Sequence, residues 1–313
     1  MTGHRLVGVA AILVTSVLWG TTGTAATLAP TVGPLAIGSA ALGIGGLLQA
    51  AIALPALRAA RSALRARQGI VILGAVSVAI YPLAFYSSMQ SAGVAVGSVV
   101  SLASAPLASG LLERVVDRRA LSRWWMLAAG LGVIGSVMLC VAKLDSPASS
   151  AAGTVSGILL GLLAGATYAI YSWVAHRLMS EGVSRGASMG SVFGLGGVIL
   201  IPVLVITGAP LIASPQAFAV ATYMALVPMF LGYVLFGIGL ARVTASTATT
   251  ITIAEPAVAT VLAVLVVGDR LTTLGWTGLG VIALVLVLLA VAPATSPRRE
   301  TRSGLPFRGS MTG

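Results

Sequence analysis

The chain has 313 residues, 58% of them hydrophobic and 8% charged, with a formal net charge of +11. A soluble domain carries about 25% charged residues because its surface must meet water, so this composition excludes an ordinary soluble fold and points to a bilayer as solvent. One cysteine, Cys140, and two separated histidines, His4 and His176, exclude an intrachain disulfide and a Cys/His metal cluster; no metal or cofactor is expected.

A membrane span needs roughly 20 mostly apolar residues at about 1.5 Å rise each. In chain order, the apolar runs predict helices over 6–28, 34–54, 69–91, 93–112 and 125–142, then 154–177, 187–206, 216–241, 244–267 and 274–292. The first run exceeds the apolar core of a signal peptide, about 7–15 residues, so it reads as an uncleaved first span. Two turns, at Ala92-Gly93 and near Arg242-Val243, are only a residue or two long. The stretch 293–313, rich in Ser, Pro, Gly and Arg, lacks an apolar period and is expected to be a disordered basic cytoplasmic tail.

The basic residues sit in short bursts between these runs. With the N-terminus inside, Arg5, the clusters Arg58 to Arg67 and Arg114 to Arg123, Arg177, Arg185, Arg242 and the tail arginines are all cytoplasmic, 16 of the 18 basic residues. Only Lys143 and Arg270 fall outside. The positive-inside rule then gives ten spans with both ends cytoplasmic. The same dispersal argues against a nucleic-acid-binding face. The reading is an all-α, multi-pass protein of a bacterial cytoplasmic (inner) membrane.

The chain also resembles itself. Shifted by 150 residues, Leu102-Ala103-Ser104-Ala105-Pro106 lies over Thr252-Ile253-Ala254-Glu255-Pro256, Leu121 over Leu271, and Gly130 over Gly280. Each half, 6–142 and 154–292, carries five spans. Five is odd, so the second half enters the membrane from the opposite side, and Asp269 stands outside where Arg119 stands inside. An inverted-topology repeat is the architecture of many secondary transporters, in which one central site opens alternately to the two sides.

These matched segments carry a family resemblance. The pattern Pro106…Leu-Leu-Glu113-Arg114, repeated as Glu255-Pro256…Val-Val-Gly268-Asp269-Arg270-Leu271 before a Gly-rich last span, together with Trp19-Gly20, resembles the EamA family of the drug/metabolite transporter superfamily. The resemblance covers residues 6 to 292. It implies ten helices around a cavity lined by spans 1, 3, 4, 6, 8 and 9, and export of amino acids or other small metabolites, in some members of dyes or drugs. Two positions depart from the pattern: span two carries Gln49 where an Arg is usual, and Asp269 stands where Glu is common.

Within that frame Glu255 is the most informative residue. It lies near the middle of span nine, where a charge costs roughly 2.5–3.5 kcal/mol on insertion scales. It must be protonated, paired or facing a wet cavity. Pro256 removes a backbone N–H and frees a carbonyl near Thr252, so a bent helix with a carboxyl beside it is expected there. Two readings stand together: a site for a proton or a substrate amine, or a protonated carboxyl bonded to a neighbouring helix.

Pro106 is the half-one counterpart, preceded by the small residues Gly93, Gly97, Ser101 and Ala105. Pro106 and Pro256 are candidate hinges or gates. Aromatic residues cluster on spans 1, 3, 6 and 8, and Trp19, Tyr86 and Tyr168 are the candidate substrate-site members beside Glu255. An aromatic wall suits apolar groups or a cationic amine. Glycine ladders at Gly153, Gly157, Gly161 and Gly165, and at Gly186, Gly190 and Gly194, serve either internal packing or a homodimer seam; monomer and homodimer both stand. His176 and Arg177 close span six as snorkelling anchors or a cytoplasmic gate. Gly130-Leu-Gly132-Val-Ile-Gly135 matches a dinucleotide fingerprint, and Gly186-Ala-Ser188-Met-Gly190 a nucleophile elbow, but both fall in predicted spans without the strands those motifs need.

Too few polar groups converge at membrane depth for an embedded enzyme. A channel usually builds its selectivity ring from several subunits. The sequence therefore reads as a secondary transporter of amino acids or related small metabolites across the bilayer, with drug-like or lipid-linked cargo as the alternative and protons as a possible coupling ion.

Overall fold

The computed structural model describes residues 2–142, 151–262, 264–265 and 272–291. Lys143, the Gly268-Asp269-Arg270-Leu271 stretch and the tail from 293 lie outside these residues. Among the described residues every regular element is helical.

Eight stretches are long and apolar enough to cross a membrane. The first, Gly3–Thr27, joins α1 (Thr2–Gly20) to α2 (Thr22–Thr27). The second, Pro34–Ile52, runs through α3 (Pro34–Gly38), a π-helical segment Ser39–Ile44 and α4 (Gly45–Ile52). The arginine-rich stretch that follows is itself helical, as α5 (Leu54–Ala59) and α6 (Arg61–Ala66). Its Ala, Leu and Arg residues are all good helix formers, which reading it as a connection overlooked.

Four continuous helices come next: α7 (Gln68–Ala92), α8 (Val94–Val115), α9 (Arg123–Val141) and α10 (Ala151–Ser180). The seventh stretch is α11 (Arg185–Thr207). The eighth, Pro215–Leu240, joins α12 (Pro215–Met224), a π-helical segment Ala225–Leu231 and α13 (Gly232–Leu240). Gly93 alone connects α7 to α8, and its φ of 86° is a conformation that residues with a Cβ rarely adopt.

The region expected as span nine is interrupted. It consists of α14 (Ala245–Ile251), a turn at Thr252 and Ile253, and α15 (Ala254–Leu262). The last element is α16 (Thr273–Val291).

In lipid, helices gain nothing by hiding apolar side chains from one another, so close backbone approach through small residues holds them together. Gly157 of α10 abuts Ala92, Gly161 abuts Ser88 and Val100, and Gly165 abuts Ser101 and Ser104, which seats α10 on α7 and α8. Gly190 and Gly194 of α11 abut Ala53 and Ala50 in the same way. Gly157, Gly161 and Gly165 of the first ladder and Gly190 and Gly194 of the second thus lie in seams inside the chain. Gly132 meets Ile253 and Gly135 meets Gly278 of α16, so the fingerprint-like run is a packing surface. Outward-facing Leu111, Leu159, Val205, Ile206 and Val287 are exposed, as a lipid-facing surface requires.

The start of the chain lies beside its last described helix. The Arg5 guanidinium donates to the Leu289 carbonyl at 3.0 Å. This end of the bundle also gathers Arg67, Asp117, Arg177 and Glu181, and it is called the arginine face below.

Candidate functional site

Near the centre of the bundle, α1, α2, the Pro34–Ile52 stretch, α7, the Pro215–Leu240 stretch and α15 surround a cavity. Its walls are Trp19, Thr22, Gly38, Ala41, Leu42, Tyr81, Pro82, Phe85, Tyr86, Met229, Tyr233 and Glu255. It is small, with about 10 Å³ of free space, roughly the room one water needs.

The sequence builds one wall by breaking helical regularity. Pro228 has no N–H to continue the α pattern, and the segment around it widens to a π-helix, a form that recurs at functional sites. Its carbonyls are taken by side chains from other elements. Trp19 Nε1 donates to Pro228 O at 2.9 Å and Gln49 Nε2 to Phe230 O at 2.8 Å, and just beyond the segment Thr15 Oγ1 donates to Gly232 O, at the start of α13, at 3.1 Å. Trp19 packs against Gly232, where a Cβ would strike the indole nitrogen. Gln49, the residue that replaces the usual Arg of span two, is therefore a buried latch on the π segment.

The opposite wall is the broken helix. Proline at 256 leaves the Thr252 carbonyl without its regular donor. That carbonyl is not left free: the Glu255 N–H turns back to it at 2.9 Å. The tight turn starts α15 at Ala254 and puts Glu255 in its first turn. Glu255 is 6% exposed, and its Oε2 is buried with no hydrogen-bond partner. No Lys, Arg or His lines the cavity among the described residues. A buried polar atom left unpaired is uncommon in folded proteins and calls for an explanation.

Behind this wall lies an aromatic layer. Tyr168 is fully buried, its hydroxyl 2.9 Å from Thr252 Oγ1 in the break, its ring 6.0 Å from Trp19 and 5.5 Å from Tyr81. The Tyr171 and Tyr233 hydroxyls bond at 2.7 Å, and Phe193 packs on Tyr233 at 4.4 Å between ring centroids.

At the arginine face, Arg177 pairs with Asp117 at 2.8 Å and with Glu181 at 2.9 Å, while Arg67 reaches Glu181 at 2.6 Å. The Trp173 indole donates to Asp117 at 2.8 Å beneath the Arg177 guanidinium. His176 Nδ1 lies 2.8 Å from the Leu240 carbonyl. Arg67, and after it Arg177, hold the Glu181 carboxyl below its ordinary value of 4.5.

Of the residues singled out from sequence, Trp19, Tyr86 and Glu255 share the cavity. Tyr168 stands one layer behind and braces the helix break. Pro256 is buried next to Glu255, whereas Pro106 is buried within an unbroken α8 and is not among the lining residues. Sequence reasoning missed Glu113 as an individual. It is 4% exposed, and both its oxygens are taken, Oε1 by the Ser246 N–H at 2.8 Å and Oε2 by the Ser246 hydroxyl at 2.7 Å. Its position at the end of an apolar run was the available signal.

The model of the EamA-like transporter family matches residues 6–141 and again 155–291. The chain belongs to the EamA-like transporter family. A relative described as "Uncharacterized transporter YwfM", from Bacillus subtilis (strain 168), is 33% identical over 293 residues, 92% of this chain and 95% of its own. A solved crystal structure, titled only "Crystal structure of protein", superposes with a TM-score of 0.71 at 20% identity, covering 93% of this chain and 96% of that one; this likeness concerns the fold. This EamA-like chain is accordingly a membrane transporter. Its cavity presents a lone carboxyl among aromatic rings, equipped to hold a proton or a cationic group.

Proposed function

We propose that this EamA-like protein is a secondary transporter that exports amino acids or related small metabolites from the bacterial cytoplasm by alternating access. The observation that carries this reading is the buried Oε2 of Glu255, without a hydrogen-bond partner, on a carboxyl set at a helix break in the wall of an aromatic cavity. Broken helices at mid-membrane are where secondary transporters hold substrate and coupling ions.

Ten crossings in two inverted halves suit the packing. The Arg5–Leu289 contact puts the first and last described helices at one face, which needs an even number of crossings. The eight apolar stretches, the broken α14–α15 and α16 make ten. The positive-inside rule makes the arginine face cytoplasmic. The ion pairs and the fully buried Tyr171, Phe193, Tyr233 and Phe236 then close the cytoplasmic route, so this is a nearly occluded conformation.

The test is counterflow of labelled amino acids and their derivatives in proteoliposomes holding the full chain, with Glu255→Gln alongside. Saturable exchange that the substitution lowers by tenfold or more, roughly the value of a charge-assisted contact, is the expected result. Exchange unchanged by the substitution would remove Glu255 from the site.

A further inference from the structure

We infer that the cavity recognises the ammonium group of a hydrophobic amine and discriminates against a free carboxylate on the same molecule. This rests on reading the cavity as the substrate site and ranks the cargo proposed above, with the amine and amide relatives of an apolar amino acid as the preferred ligands and the free amino acid as a weaker one.

The argument begins with charge. The lining holds one carboxylic acid, Glu255, and no Arg, Lys or His among the described residues. A zwitterionic amino acid brings two charges into a site that offers a partner to one. The second charge, the carboxylate, would meet only neutral hydroxyls such as those of Tyr81 and Tyr86 and no cation, so its lost water is only partly replaced, a penalty that falls on buried charges generally. An amine lacking that carboxylate brings only the charge for which the site has a partner. Its ammonium would supply the hydrogen bond that Glu255 Oε2 lacks.

The rest of the wall suits the same group. Trp19, Tyr81, Tyr86 and Tyr233 present aromatic surface to the cavity, and such rings attract cations, Trp most strongly. Trp19 is fixed in place, its N–H held by the Pro228 carbonyl, so its ring carries no spare donor for a carboxylate. The cavity must widen to admit a ligand. The departures from α-helix at its edge, among them the π segments Ser39–Ile44 and Ala225–Leu231 and the turn at Thr252 and Ile253, are the elements that can repack.

The test is binding of four matched probes to the purified full chain in nanodiscs, followed by calorimetry: phenylethylamine, phenylalanine amide, phenylalanine and 3-phenylpropionate. The expected result is that phenylethylamine and phenylalanine amide bind about tenfold or more tighter than phenylalanine, the scale of one uncompensated charge, and that 3-phenylpropionate does not bind. Glu255→Gln should abolish the preference for the amines. Because this ranking is read on the unsubstituted protein, it holds whether or not the variant folds. Phenylalanine binding as tightly as phenylethylamine, with Trp19→Ala weakening both, would overturn the amine inference and leave the cavity as the substrate site. Binding indifferent to both Trp19→Ala and Glu255→Gln, or no binding by any probe, would overturn the two together.

Discussion

Two helical regions carry a proline at positions 150 residues apart, and they behave differently. α8 runs unbroken through Pro106, and the acid near its end, Glu113, has both oxygens filled by Ser246. The partner region breaks before Pro256 into α14 and α15, and its acid, Glu255, leaves a buried oxygen unfilled. A proline alone therefore does not make a hinge. In α8 the bundle tolerates one lost bond. At 252–255 the chain turns back on itself, and Tyr168 braces the turn through Thr252. The difference separates a carboxyl whose two oxygens tie α8 to α14 from one whose Oε2 is left without a partner.

The sharpest way to break this comparison is to neutralise each acid. Glu255→Gln should lower transport by at least about tenfold and leave thermal stability nearly unchanged, because it removes a charge and no existing hydrogen bond. Glu113→Ala should do the reverse. Losing two buried hydrogen bonds costs roughly 1–3 kcal/mol, seen as a melting temperature lower by about 2–6 °C. Equal transport defects in both variants, without a stability difference, would erase the distinction.

The prolines give the next largest contrast. Pro256→Ala restores an N–H that can reach the Thr252 carbonyl and heal the break, so transport should slow several-fold; Pro106→Ala should change it little. Initial rates in the same vesicles decide this. A smaller effect is expected for Tyr168→Phe, which removes only the hydroxyl bond to Thr252 and should cost about 1 kcal/mol of stability, measured by thermal melting.

The smallest effect concerns the arginine face. Its pairs are partly exposed, so each contributes modestly and is screened by salt. Glu181 is held below its ordinary carboxylate value. Its stabilisation is therefore fully present above about pH 4.5 and fades only as the pH falls through the lowered folded value. Collisional quenching, by a water-soluble quencher, of a dye attached beforehand to a cysteine at that face should stay constant from pH 8 to 5 and rise only under stronger acid. A rise between pH 7 and 5 would assign the closure to another group.

Some of this was legible in the residues themselves. The apolar runs, the arginine bursts and the proximity of Glu255 to Pro256 are local patterns. A bilayer enforces them residue by residue, because each unpaired charge or backbone group in lipid carries its own cost. From them the helical membrane class, the family resemblance and the choice of Glu255 as a candidate could be drawn. The structure alone decided which acid keeps a buried oxygen unpartnered, that Gln49 and Trp19 latch the carbonyls of a π segment, that Tyr168 stands behind the cavity wall, and that Gly157, Gly161, Gly165, Gly190 and Gly194 lie in internal seams. These depend on which atoms meet across helices distant in sequence, as with Glu113 and Ser246. Periodicity says which face of a helix is apolar; only packing says what that face meets.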